Sequence, residues 1–177
     1  MPAIFSITTR HQRLRLIGSC DNYYVFAPGD LLDLHPWPAW CAACARFTEA
    51  EQFETVAWYD EQIKVAEHYH KSPGLLPPDG SVRPGDLYDL RRRRAWVSAR
   101  RSPAKCIECG STAVTVLWGD ADAFDVPGVG RVELQVCGRC SSEGPCVHHW
   151  YFTPEGDRVP EPSGATRRRA SARSRER

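Results

Sequence analysis

The residues whose type and spacing point most directly to chemistry are the cysteines. Six of the eight lie in Cys-x-x-Cys pairs, which stand at positions 41 and 44, 106 and 109, and 137 and 140. Two residues between paired cysteines allow a tight turn to bring both thiolates to one metal ion, at about 2.3 Å for zinc. No apolar export signal precedes these pairs, so we expect a cytoplasmic protein that binds metal and not a disulfide scaffold.

The two later pairs predict one structural zinc site. An alternating apolar run, Val114 to Trp118, follows the first of them, and a second run, Val132 to Val136, leads into the other. Two such runs are typical of an antiparallel hairpin with a long loop. We therefore expect one zinc ion with four ligands, Cys106, Cys109, Cys137 and Cys140. Rubredoxin-type iron is disfavoured because the last pair lacks the proline and trailing glycine usual in that family.

This double Cys-x-x-Cys pattern resembles the zinc-ribbon superfamily over residues 106–152. The resemblance implies a three-stranded antiparallel sheet and a structural metal ion. It does not indicate a function, because ribbons serve polymerase subunits, ribosomal proteins, enzymes and adaptors alike.

The first half of the chain repeats this plan in degenerate form. Cys20 is followed by an apolar run, the pair Cys41 and Cys44 comes next, and Tyr23 stands where a fourth cysteine would complete the pattern. A second zinc ion would need one more ligand from a set that comprises His35, His68, His70 and Cys146. We take His35 as the candidate; the alternative is a ribbon without metal, held by the core around Trp37 and Trp40. No role is assigned to Cys146, His148 and His149, whose simplest interpretation is structural.

The remaining pattern predicts an α+β fold with two helices between the two ribbon-like halves. Thr48 and Glu51 fit a capping box, so we expect a first helix at 49–70 and a second, arginine-rich helix at about 86–101. The expected divisions are an N-terminal β segment at 1–48, a two-helix segment at 49–105, a zinc ribbon at 106–159 and a disordered basic tail at 160–177.

Charge suggests a binding role. The net charge is +1, but the last eleven residues hold six Arg against one Glu, so the body is mildly acidic with a basic island at 81–105. We expect a non-enzymatic zinc-binding protein that contacts nucleic acid or a nucleic-acid-associated complex, with no membrane span and no small-molecule substrate. The residues expected at the nucleic acid are Arg91, Arg92, Arg93, Arg94, Arg100 and Arg101.

The alternative is a protein–protein adaptor. Six Trp and six Tyr exceed what a small core requires, and Trp37, Trp40, Trp58 and Tyr59 would form its aromatic surface. An enzyme is the third hypothesis, because no convincing acid, base or nucleophile is present.

Overall fold

The computed structural model describes residues 3–18, 22–27, 29–71, 87–119, 121–139 and 150–162, and it confirms an α+β fold with mostly antiparallel sheets. The elements of these ranges are, in chain order, β1 (Ala3–Thr8), β2 (Arg13–Ile17), β3 (Asn22–Ala27), β4 (Asp30–Cys41), β5 (Arg46–Gln52), α1 (Val56–Lys71), α2 (Leu87–Ala99), β6 (Val114–Val116), β7 (Ala123–Val126), β8 (Gly130–Arg139), β9 (Trp150–Phe152) and β10 (Arg158–Val159).

The first sheet has four antiparallel strands in the order β2-β1-β8-β7. In β2 the apolar residues Leu14 and Leu16 are half-buried, whereas Arg13, Arg15 and Ile17 are exposed. This alternation follows from the two-residue period of a strand, which gives the sheet one core face and one solvent face.

The second sheet is built around β4, which has twelve residues and two sets of partners. Its first part, up to Leu34, pairs with β3, and its second part, from His35 to Cys41, pairs with β5. The last three residues of β4 also pair with β6 on the opposite edge. β5, β4 and β6 thus form a three-stranded antiparallel unit at the end of the sheet that carries Cys41.

Two apolar clusters hold these layers together. One joins the core face of the first sheet to the β4–β5 hairpin through Ile7, Val132 and Leu117, with Trp40 and Phe47 packed against them. The other lies between β3, β4, α2 and the C-terminal strands, and its buried members are Tyr24, Leu32, Leu34, Trp96, Ile107 and Phe152.

Two predicted elements differ from the structure. The segment around Thr48 and Glu51 lies in β5 and does not cap a helix; α1 begins at Val56, where the Thr55 hydroxyl accepts a hydrogen bond of 3.1 Å from the Trp58 amide. The predicted hairpin of the two late apolar runs does not form, because β6 pairs with β4 while β8 pairs with β1 and β7.

Other predicted elements agree more closely. α2 lies within two residues of the predicted helix at each end. Of the predicted tail, residues 163–177 lie outside the described part of the chain. Among the described residues, neither helix is long and apolar enough to cross a membrane.

Candidate metal centre

Four cysteine sulfurs converge at one end of the second sheet. They belong to Cys41, Cys44, Cys106 and Cys109, and all four lie within 4.8 Å of one another. Cys41 Sγ is 3.7 Å from Cys109 Sγ, and Cys44 Sγ is 4.0 Å from Cys106 Sγ. Zinc–sulfur bonds of about 2.3 Å in a tetrahedron place neighbouring sulfurs about 3.8 Å apart. The spacing of this cysteine group therefore fits a single tetrahedral metal ion, as in a zinc-ribbon-like site.

The first knuckle is the turn between β4 and β5. Cys41 ends β4, and the Cys44 amide donates a hydrogen bond of 3.4 Å to its sulfur. The neighbouring Ala42 amide donates a hydrogen bond to the carbonyl oxygen of Ala113, which directly precedes β6. This bond links the turn to β6. Ala45 then has a φ of 51°, the only positive φ of a non-glycine residue in the described ranges. The hairpin connection itself thus forms the first turn of the candidate metal site.

The second knuckle is attached to β5 and to the core. Cys106 forms an isolated bridge with Ala50, and the Ile107 amide donates to the Glu49 carbonyl at 3.1 Å. The Ile107 side chain is buried in the second apolar cluster. Gly110, directly after Cys109, has a φ of 73°, and its amide donates a hydrogen bond to the Cys106 carbonyl. Both knuckles therefore end in a residue with left-handed backbone conformation.

The thiols of the group perturb one another. Hydrogen bonding with the Cys109 thiol, together with desolvation, raises the pKa of Cys44. Burial raises the pKa of Cys106, whereas the Ser111 amide lowers the pKa of Cys109. Four thiolates at these distances repel one another, so full ionisation requires a cation among them.

A buried ion pair supports the second knuckle. The Glu51 and Arg100 side chains are 1% and 2% exposed, and Arg100 donates to both carboxylate oxygens at 3.1 and 2.5 Å. Glu51 also accepts hydrogen bonds of 2.8 Å from the Tyr24 hydroxyl and from the Lys105 amide, which directly precedes Cys106. Desolvation and the nearby Glu51 carboxylate raise the pKa of Tyr24. This network fixes the chain just before the second pair of cysteines.

Arg100 also connects the Glu51 network before Cys106 to other parts of the fold. It donates to the carbonyl oxygens of Ser102 and Pro154 at 2.9 and 3.1 Å, and its guanidinium lies 4.7 Å from the Phe53 ring centroid and 5.2 Å from that of Trp96. Its charge is thus satisfied by hydrogen bonds and aromatic faces. Sequence reasoning missed this role, because an arginine that follows an arginine run looks like part of an exposed face.

The cysteines that the structure brings together are not the four that the sequence analysis grouped. Cys106 and Cys109 are joined by Cys41 and Cys44, the pair that the sequence assigned to a second site. Cys137 is exposed in β8, lies 3.8 Å from the Gln135 carbonyl oxygen and is not part of the group. The physical reason is that β8 pairs within the first sheet. Cys140, Cys20, Cys146, His148 and His149 lie outside the described residues.

His35, the proposed additional ligand, also stands apart from the cysteine group. It lies in β4 opposite Gln52, and its Nε2 is 3.4 Å from an Arg93 guanidinium nitrogen. Among the described residues, the candidate metal-binding group thus consists of thiols alone.

The arginines expected at a nucleic acid are mostly paired within the chain. Arg91 contacts Glu67 at 2.7 Å, Arg94 contacts Asp60 at 2.9 Å, and Arg92 contacts Asp30 at 2.5 Å. Carboxylates that neutralise these side chains compete with phosphate for them. Of the others, Arg93 lies near His35, Arg100 is buried and Arg101 is exposed.

The aromatic residues of the adaptor hypothesis contribute largely to packing. Tyr59 is buried, and Trp40 packs edge-on against Phe47 with ring centroids 5.1 Å apart. Trp37 is half-buried and donates to the Leu117 carbonyl, whereas Trp58 is 42% exposed.

Comparisons of the chain with models of protein families, with curated proteins and with solved structures gave no match.

Proposed function

We propose that this chain is a non-enzymatic binding protein whose fold is stabilised by one zinc ion bound to Cys41, Cys44, Cys106 and Cys109. The observation that supports the proposal is the sulfur geometry. Two Sγ–Sγ distances between the knuckles are 3.7 and 4.0 Å, and all four sulfur atoms lie within 4.8 Å of one another. Thiolates are soft ligands, which favour zinc over the oxygen-preferring cations magnesium and calcium.

The donor set favours a structural role for the metal. Four protein thiolates complete a tetrahedron, so no position is left for water or substrate, whereas catalytic zinc sites keep one open. The ion would join the β4–β5 hairpin to the chain that follows α2, although 61 residues separate Cys44 from Cys106. Closing so long a loop is entropically costly, and a shared metal offsets that cost in the folded state.

The partner that we propose is a nucleic acid. The described part of the chain contains exposed arginines, which can contact phosphate. A zinc ion with four protein ligands has no open position for a substrate, so it suits the support of a binding surface better than catalysis. A protein partner is the alternative, for which the exposed Trp58 and the exposed Tyr88, at 69%, are the relevant side chains.

The metal proposal is tested on the purified 177-residue chain. We expect one zinc ion per chain, four sulfur neighbours at about 2.3 Å in X-ray absorption, and a lower melting temperature after chelation. Iron as the bound metal, or nitrogen or oxygen neighbours in the absorption spectrum, would contradict the proposed site.

A further inference from the structure

We propose that the β1–β2 hairpin is a nucleic-acid-binding surface that contacts the phosphate backbone through Arg10, Arg13 and Arg15. This inference rests on the proposed function as a binding protein, and it names both the surface and the chemistry of the partner. It replaces α2 as the expected position of the contacts.

The β1–β2 hairpin carries positive charge that no acidic residue within the hairpin offsets. Residues 1–20 contain three arginines and His11 but no Asp or Glu. Arg10, His11, Arg13 and Arg15 are all exposed. None of the three arginines forms a salt bridge with any residue of the described ranges, in contrast to Arg91, Arg92 and Arg94 of α2.

Strand alternation directs the arginines to one face. Leu14 and Leu16 pack against the core cluster of the first sheet, so Arg13 and Arg15 lie on its solvent face. Two residues along a strand span about 6.7 Å, which keeps both guanidinium groups close enough to contact one segment of backbone. The nearest described carboxylate on this face by register is Glu133, which is opposite Thr8 and therefore one strand further from Arg13.

Local contacts hold the hairpin in position. At its tip, the Thr9 hydroxyl accepts hydrogen bonds of 3.3 and 3.1 Å from the amides of His11 and Gln12, and it donates to the Gln12 carbonyl. On the sheet, Arg13 Nε donates to Ser6 Oγ at 2.7 Å. That contact orients the guanidinium, and no other residue of the described ranges hydrogen-bonds its terminal nitrogens, which can therefore contact an anion. Ordering before binding reduces the entropy that a phosphate contact must offset.

The chemistry that fits this surface is a polyanion with regularly spaced charges. Phe, Tyr and Trp side chains for base stacking are absent from residues 6–18, where His11 is the one aromatic ring. Recognition should therefore be largely independent of sequence and strongly dependent on salt.

The test is a binding titration of labelled single-stranded RNA and duplex DNA by the 177-residue chain, at several salt concentrations. Arg13→Gln with Arg15→Gln is compared with Arg91→Gln plus Arg94→Gln, which removes the same charge from α2. Arg10→Gln, at the exposed tip, serves as a second hairpin variant. The hairpin double variant should weaken binding and lower the slope of log affinity against log salt by about 1.4–1.8, and the α2 variant should change the slope much less.

Zinc content, measured for every variant, separates this proposal from the metal site. An equal loss of affinity in the hairpin and α2 variants, or a loss confined to Arg167→Gln with Arg168→Gln in the tail, would overturn the hairpin assignment. Equally effective competition by polyglutamate would overturn the choice of nucleic acid. A chain without zinc would instead contradict the proposed function.

Discussion

Cys41 and Cys137 each begin a Cys-x-x-Cys pair, but the fold places these two residues differently. Cys41 is the last residue of β4, and the four residues that follow it form a turn. Cys137 lies inside β8, which stays extended through Arg139. A knuckle needs a turn directly after its first cysteine, whereas an extended strand directs successive side chains to opposite faces. The spacing therefore identifies a candidate pair, and the local backbone decides whether that pair forms a knuckle.

The two knuckles of the cysteine group also differ in how the fold supports them. The first knuckle is held by its own hairpin, since Cys41 and Arg46 pair directly across it. The second knuckle lies outside a hairpin and depends on Glu51 and Arg100, which fix Lys105. The two halves of one metal site should therefore respond differently to substitution.

Breaking the buried ion pair should have the largest effect. Glu51→Gln leaves the Arg100 charge buried without its counter-charge, so we expect a loss of roughly 3–5 kcal/mol in the free energy of unfolding. Zinc affinity should also fall, because the chain before Cys106 loses its anchor. Denaturant unfolding and competition with a chelator measure the two quantities. The control Glu67→Gln removes an exposed pair and should change both little; a similar loss in the control would contradict the account.

A substitution at Gly156 would perturb the Glu51–Arg100 ion pair without changing its charges. It has a φ of 82°, and a Cβ atom there would lie 2.5 Å from a Glu51 carboxylate oxygen. Gly128 has a similar φ of 78° but no atom within 4 Å of such a Cβ. Gly128→Ala should thus cost about 1–2 kcal/mol from backbone strain alone, and Gly156→Ala should cost more and also weaken zinc binding. Equal unfolding energies for the two variants would show that the contact with Glu51 is unimportant.

The residues that end the two knuckles provide the smallest test. Ala45 adopts the left-handed conformation that Gly110 adopts at the equivalent place. Ala45→Gly should relieve strain and leave stability unchanged or raised by up to about 1 kcal/mol, whereas Gly110→Ala should lower it by about 1–2 kcal/mol. Thermal unfolding of the zinc-loaded proteins measures both. If Ala45→Gly is the more destabilising change, the proposed equivalence of the knuckles is incorrect.

The sequence predicts the local parts of this molecule better than their pairing. It places α2, β3, β6 and β8 approximately, because each has a clear apolar pattern. It places the start of the first helix incorrectly, because Thr48 and Glu51 match a cap although tertiary contacts hold both in β5. It also indicates a four-cysteine site but groups the pairs by proximity in sequence. Long-range strand pairing between β4 and β6 decides the grouping, and no local signal reports it.

The most direct test of the central claim is the zinc content of two matched variants. Cys41→Ser removes a sulfur that lies in the cysteine group, and Cys137→Ser removes one that is exposed in β8. We expect Cys41→Ser to lose zinc or bind it much more weakly, and Cys137→Ser to retain one ion per chain, as measured by mass spectrometry under native conditions. Retention of zinc by Cys41→Ser together with its loss from Cys137→Ser would contradict the proposed metal centre.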